Sequence, residues 1–159
     1  MNMDQLTFAT KLAILFSGIY LWIGMLTGLW KYYQIRKSAH ARAHPYVDIA
    51  HRSSLLYAPA TLILATLGHF TIWSDYAVLT CIGINILFFS LSILSYILHG
   101  VLKDTVNQFQ VPHQLGKWYL PKILMTIFMF LLVIGELVAS GFLIIGTAYY
   151  RGGPTCLNN

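Results

Sequence analysis

The chain consists mostly of long hydrophobic runs that are bounded by charged residues. There are four such runs: 12–30, 53–74, 76–102 and 123–150. A helix needs roughly 20 apolar residues to cross the hydrocarbon core of a bilayer, so each run is long enough to cross it once. The runs do not alternate between apolar and polar positions, which favours helices over the strands of a barrel. The pattern therefore predicts an all-α integral membrane protein with four transmembrane helices in an antiparallel bundle.

Flanking residues set the predicted boundaries of these helices. Amphipathic rings lie at the ends of the runs, as at Trp30, Trp73 and Trp118, where membrane proteins place them at the bilayer surface. Pro121 suits the first turn of a helix, where its missing amide hydrogen is harmless. The predicted helices are approximately 8–33, 45–73, 76–102 and 121–150. No repeat or linker divides the chain, so residues 1–159 are expected to form a single transmembrane domain.

Composition excludes the other broad classes. Of the 159 residues, 57% are hydrophobic and only 9% are charged, against roughly 25% charged in a soluble domain. A small soluble fold has a large surface relative to its core, and so few charges cannot cover it. Disordered chains and coiled coils also need many more polar residues.

The basic residues predict the orientation of the protein in the membrane. Eight of the ten Lys and Arg lie in or beside the first and third connections: Lys31, Arg36, Lys37, Arg42, Arg52, Lys103, Lys117 and Lys122. The positive-inside rule makes both connections cytoplasmic and puts the N- and C-termini outside. The basic residues that orient the protein in the membrane thus account for its net charge of +5. Since no basic stretch alternates with aromatic residues, no nucleic-acid partner is expected.

Glu136 and Asn85 are strongly polar residues near the middle of apolar runs, where each is costly without a reason. Glu136 is near the middle of the fourth run, where burial favours a neutral carboxyl group unless a cation or several donors meet it. It is either an acid/base or ligand-orienting group, or a carboxyl group hydrogen-bonded to a neighbouring helix. Asn85 in the third run either joins helices or contacts a ligand.

Two weaker signals concern helix packing and cysteine. Gly24 and Gly28 have the spacing of small residues that allows close contact between membrane helices. Cys81 and Cys156 are both expected on the outer side, so a disulfide is permitted. The simpler interpretation is a small buried hydrophobe and a thiol in the tail.

The densest group of chemically active side chains precedes and opens the second helix. His44 is expected at its N-terminal end, and His51 lies two turns further on, roughly 10 Å away, so the two cannot be the axial ligands of one iron. One of them could ligate a metal, or both could bind an anionic ligand with Arg42 and Arg52. The group could equally contact lipid headgroups. A zinc site at His40 and His44 lacks a Cys or Glu to complete its ligands.

Two short motifs in the connections resemble the bacterial styrene oxide isomerase family. They are Ala41-Arg42-Ala43-His44 before the second helix and Asn107-Gln108-Phe109 before the fourth. The resemblance implies a homotrimer in the bacterial inner membrane, with haem b held between protomers and His44 as the axial ligand. It also implies a ferric iron that acts as a Lewis acid on a small hydrophobic aryl epoxide and converts it to an aldehyde. A single protein histidine leaves the coordination position that this chemistry needs.

The same resemblance suggests residues for the rest of the pocket. The family's assisting asparagine falls on Ala50, and its pocket tyrosine falls near Phe89 in an ungapped alignment or on Tyr96 if gaps are allowed. Asn85 matches a family asparagine in the ungapped register. Asn85, Tyr96 and Glu136 are therefore the candidate catalytic residues, and His44, Arg42, His51 and Arg52 are the candidate cofactor-binding residues.

The segment 51–59 resembles a second family, the MAPEG membrane glutathione transferases. His51, Tyr57 and Pro59 match the family pattern, whereas its arginine, asparagine and glutamate positions are Ile49, Ser53 and Leu56. This resemblance implies a trimer of four-helix protomers that binds glutathione through Arg52, His51 and Tyr57. A third possibility is a non-catalytic haem-binding or sensing protein.

Overall fold

The computed structural model describes residues 6–107, 111, 113–116 and 118–150, and most of them lie in four helices. The helices are α1 (Phe8–Lys37), α2 (Pro45–His69), α3 (Asp75–Leu102) and α4 (Lys122–Ala148). The prediction of four helices is confirmed.

Three of the helices, α1, α3 and α4, are long and apolar enough to cross a membrane. They indicate a membrane-embedded protein. The remaining helix, α2, is more polar, because Asp48, His51 and Arg52 all lie within its first two turns.

The helix ends differ from the prediction by up to four residues, and local contacts accompany the two largest differences. α1 continues to Lys37 and ends where the amide of Ser38 donates to the Ile35 carbonyl at 3.2 Å. α2 ends at His69, because the indole of Trp73 donates to the Phe142 carbonyl of α4 at 2.9 Å and draws the chain away. Pro121 is extended (ψ 134°) and caps α4 from outside its first turn.

The third connection contains a small β-hairpin that the all-α prediction did not include. Strands β1 (His113–Leu115) and β2 (Trp118–Leu120) pair antiparallel, with His113 opposite Leu120. Gly116 begins the turn with a φ of +59°, a conformation that glycine adopts without strain. Three residues per strand are too few for a period-two pattern to be read from sequence.

The prediction of close packing at Gly24 and Gly28 is confirmed at the contact between α1 and α2. A Cβ atom at Gly24 would lie 2.6 Å from Leu55 Cδ2, and one at Gly28 would lie 2.8 Å from His51 Cε1. The missing side chains therefore let α2 approach the backbone of α1. His51 uses this proximity, because its Nδ1 donates to the Gly24 carbonyl at 2.8 Å.

The main core lies between α1, α2 and α3, whereas α4 covers only part of it. Ala13 and Tyr20 of α1 meet Ala65 of α2 and Ile82 and Ile93 of α3 there. α4 buries few residues, which are Ala139, Leu143 and Gly146. Its outward face is apolar and exposed, as expected for a helix that contacts lipid or another protein chain.

Candidate functional site

His44 is fixed at the start of α2 by both its backbone and its side chain. It is the N-cap residue, and its Nδ1 accepts a long hydrogen bond of 3.4 Å from the amide of Tyr46. Its own amide donates to Oε1 of Gln34 on α1 at 2.8 Å. Pro45 follows directly at the first helical position, where a proline favours helix initiation. These hydrogen bonds and Pro45 therefore hold His44 at the start of α2, beside the end of α1.

A cavity of about 670 Å³ adjoins His44, between the ends of α1, α2 and α3; we call it the His44 cavity. Its walls include aromatic surface from Trp30 and Tyr33. Its charged lining residues are all basic: Lys37, Arg42 and Lys103. Arg42, predicted to bind a cofactor, thus lines the same cavity as His44.

The surroundings of His44 favour its neutral form. Burial lowers the pKa of His44 below its ordinary value, and the positive charge of Lys103 lowers that pKa further. The lowered pKa favours the neutral imidazole, which is the protonation state that a metal ligand requires.

His51 and Arg52 do not line this cavity. His51 donates to Gly24 of α1, as described above. Arg52 pairs with Asp48 at 3.0 Å, and Asp48 pairs in turn with Lys31 of α1 at 2.5 Å. His51 therefore takes part in the contact between α1 and α2, whereas Arg52 is exposed and pairs within α2.

Tyr57, predicted to bind glutathione together with His51 and Arg52, lies in a different contact. Its ring stacks on Phe89 of α3, with centroids 4.2 Å apart. The three side chains thus face α1, the outer surface of α2, and α3, respectively.

Asn85 and Glu136, predicted from their polarity alone, line a common cavity of about 430 Å³ between α2, α3 and α4. Asn85 is 1% exposed, and its Nδ2 donates to the Cys81 carbonyl of its own helix at 2.9 Å. Oε1 of Glu136 is buried and has no hydrogen-bond partner among the described residues. Oε1 therefore does not form, with any described residue, the hydrogen bond to a neighbouring helix that was one of the two alternatives for Glu136.

Tyr96 belongs to a stack of rings that reaches His44. Tyr96 packs on Tyr46 with centroids 6.2 Å apart, and Tyr46 packs on His44 at 6.1 Å. Tyr46 is buried and also lies 5.0 Å from the ring of His99. In the structure, therefore, only the ring of Tyr46 separates Tyr96 from His44, although the two residues are far apart in the sequence.

A buried histidine–aspartate pair, which the sequence pattern did not predict, lies beside this stack. Nδ1 of His99 lies 2.8 Å from Oδ1 of Asp104, and Oδ2 of the same carboxylate accepts from the Gly116 amide at 2.6 Å. Burial acts to raise the pKa of Asp104, but the Gly116 hydrogen bond and His99 outweigh it, so the pKa is below its ordinary value. The available signal was a histidine in the last turn of α3 followed five residues later by an aspartate.

Several predictions fall partly or wholly outside the described residues. These include Gln108 and Phe109 of the second family motif, Lys117 of the basic set, and Cys156 of the permitted disulfide. Cys81 is a half-buried free thiol in the described part of the chain.

No protein-family model, curated protein or solved structure matches the chain. Within the described ranges, no three His, Cys, Asp or Glu side chains converge on a point that could hold a metal ion. This part of the chain therefore supplies no third ligand for zinc at His40 and His44. A cofactor that takes one protein ligand does not need such a group.

Proposed function

We propose that the protein binds haem b in the His44 cavity, with His44 as the axial ligand, and acts as an epoxide isomerase of the styrene oxide isomerase type. The observation that carries the proposal is the position of His44. A half-buried imidazole with a lowered pKa stands at a helix start and borders a large cavity, whose walls combine aromatic surface with three basic residues.

The residues around the cavity fit this cofactor in size and charge. A volume of about 670 Å³ is in the range of small-molecule sites, roughly 300–1,000 Å³. Trp30 and Tyr33 offer flat apolar surface for the macrocycle. Lys37, Arg42 and Lys103 offer positive charge for its two carboxylates.

The hydrogen bonds of His44 are also compatible with ligation. A neutral imidazole that binds a metal through Nε2 carries its proton on Nδ1. With a proton on Nδ1, His44 could no longer accept the hydrogen bond from the Tyr46 amide, which at 3.4 Å is already long. The shorter bond from the His44 amide to Gln34 would still hold the residue in place.

Bound haem b would supply a Lewis-acidic iron that polarises the epoxide oxygen. Tyr96 is one ring away from His44 in the stack but does not line the His44 cavity, so it would position Tyr46 rather than contact the substrate. Asn85 and Glu136 line a different cavity, so we assign them no part in the reaction at His44.

The proposed assembly is a homotrimer in the bacterial inner membrane, with α2 as a fourth span and the His44 end on the cytoplasmic side. The exposed apolar face of α4 supports burial against lipid or other protomers. The packing of α2 along α1 and α3, both long enough to span, supports a fourth crossing.

The glutathione alternative has less support. His51 and Arg52 already contact α1 and Asp48, and Tyr57 packs on Phe89, so binding one ligand through all three would require those contacts to change.

The first test is the visible spectrum of the protein, expressed with added haem and purified in mild detergent. We expect a Soret band that is lost in His44→Asn. Asparagine is a good N-cap residue, so this variant removes the metal ligand and keeps a side chain able to cap α2. The control is His40→Asn, which alters an exposed histidine four residues earlier and should keep the band. Colourless wild-type protein after haem supplementation would refute the proposal.

A second assay separates an enzyme from a haem carrier. Haem-loaded protein should convert a phenyl epoxide to the corresponding aldehyde, and His44→Asn should not. Haem binding without turnover would indicate the non-catalytic alternative. Retention of colourless protein on immobilised glutathione would indicate the transferase.

A further inference from the structure

A second cavity, which we call the His99 cavity, has the make-up of a ligand site. It has a volume of about 380 Å³ and lies between α3, α4 and the β-hairpin. Most of its lining is aliphatic and aromatic. Its polar lining residues are Tyr57, Ser92, Ser95, Tyr96, His99 and His113. An apolar cavity with a few convergent polar groups is the usual form of a small-molecule site.

The histidine in this lining is held in one orientation. His99 is 5% exposed, and the side chain of its partner Asp104 is 3% exposed. Asp104 contacts Nδ1 of His99 with one oxygen and accepts from the Gly116 amide with the other. Because an ionised carboxylate can only accept hydrogen bonds, Nδ1 of His99 must be the donor.

This orientation determines what the other ring nitrogen can do. With the proton on Nδ1, Nε2 of a neutral imidazole carries a lone pair and acts as an acceptor. Within the described part of the chain, Nε2 of His99 has no hydrogen-bond partner. Because His99 lines the cavity, Nε2 can accept a hydrogen bond from a ligand bound there.

The donor best suited to this acceptor is a neutral hydroxyl group. A carboxylate ligand would add negative charge close to Asp104. An ammonium group would lose its hydration in a mostly apolar cavity, and the imidazole and hydroxyl groups of the lining would compensate poorly for that loss. A hydroxyl group donates one hydrogen bond at a small desolvation cost, and the apolar remainder of the molecule can fill the cavity.

We propose that the His99 cavity binds a lipophilic phenol or alcohol whose hydroxyl group donates to Nε2 of His99. The apolar part of the ligand packs between α3 and α4. Leu94 and Leu98 line the cavity and are exposed, so the ligand can enter from the apolar surroundings of the helices. Its lining shares no residue with that of the His44 cavity.

The test compares two naphthalene probes that differ by a hydrogen-bond donor, 2-naphthol and 2-methoxynaphthalene. Binding to the full-length protein is measured by equilibrium dialysis against protein-free micelles at equal detergent concentration. We expect 2-naphthol to bind several-fold more tightly, about fivefold, as one added hydrogen bond would give. His99→Phe removes the acceptor and should bind both probes equally. The control His69→Phe, at the far end of α2, should keep the preference.

A second variant tests the role of Asp104 in positioning the proton. In Asp104→Asn the amide group can donate to Nδ1 of His99, which moves the imidazole proton to Nε2. The preference for 2-naphthol should then disappear, and 2-acetonaphthone, which carries an acceptor, should bind more tightly than to the wild type. His44→Asn should leave the 2-naphthol preference unchanged.

Three outcomes would overturn the proposal. They are equal binding of 2-naphthol and 2-methoxynaphthalene by the wild type, no binding of either probe, and a preference that survives in His99→Phe.

Discussion

At the scale of single residues, Glu136 has the least favourable surroundings of the polar side chains in the described helices. Its Oε1 is buried with no partner there, and the cavity it lines is otherwise mostly apolar. A buried polar atom without a hydrogen bond loses its hydration and gains nothing in return. Nearby polar groups do not relieve it, because Asn85 donates to Cys81 and the Ser140 hydroxyl donates to the Glu136 carbonyl.

We therefore predict that Glu136→Met stabilises the protein in detergent by about 1–3 kcal/mol, the usual cost of an unpaired buried polar group. Methionine has similar length and no group to pair, whereas Glu136→Gln keeps a polar end and should change stability little. The measurement is the free energy of unfolding by denaturant titration, followed by helical circular dichroism. A loss of stability in the methionine variant would mean that the carboxyl group is paired in the assembled protein.

Residues of this kind could be identified from sequence only when their polarity alone set them apart. Asn85 and Glu136 were singled out because polar groups are rare in apolar runs, and they do share a cavity. The pairing of His99 with Asp104 could not be predicted in this way. It depends on α3 ending at Lys103, which adopts a left-handed φ of +51°, and on the hairpin bringing Gly116 to the carboxylate.

At the scale of helices, the contact between α1 and α2 depends on two small residues on one face of α1. Gly24 meets Leu55, and Gly28 meets the ring of His51, at distances that leave no room for a methyl group. Gly18 lies on the same helix with no atom within 4 Å of a Cβ at that position. The glycine spacing predicted this contact, but the bond from His51 to the Gly24 carbonyl could not be read from spacing, because it requires the helices to be in register.

The three glycines offer a matched set of alanine substitutions. Gly24→Ala and Gly28→Ala should each lower the free energy of unfolding by about 1–3 kcal/mol through overpacking. Gly18→Ala should leave it unchanged or raise it by up to about 1 kcal/mol, because alanine is the better helix former. Denaturant titration in detergent measures all three. Equal effects at positions 18 and 24 would show that the contact between α1 and α2 is looser than described.

At the scale of the whole molecule, the position of α2 decides the topology. α1, α3 and α4 are apolar enough to cross a membrane, but α2 begins with charged residues and carries the candidate haem ligand at its start. The ion pairs of Asp48 with Lys31 and Arg52 lie at this end of the helix, where headgroups and water can solvate them. The number of helices was predictable from run lengths. Hydrophobicity alone does not decide whether α2 crosses the membrane, because its polar first two turns lower the average hydropathy of the helix.

Labelling at the two ends of α2 tests this topology directly. Ala39→Cys precedes the helix and Ser74→Cys follows it, and both positions are exposed. In a background of Cys81→Ala and Cys156→Ser, a membrane-impermeant maleimide should label Ser74→Cys in intact spheroplasts. Ala39→Cys should react only after the membrane is permeabilised. Labelling of both positions from the same side would place α2 on the membrane surface, and the proposed cytoplasmic haem site would then need a different topology.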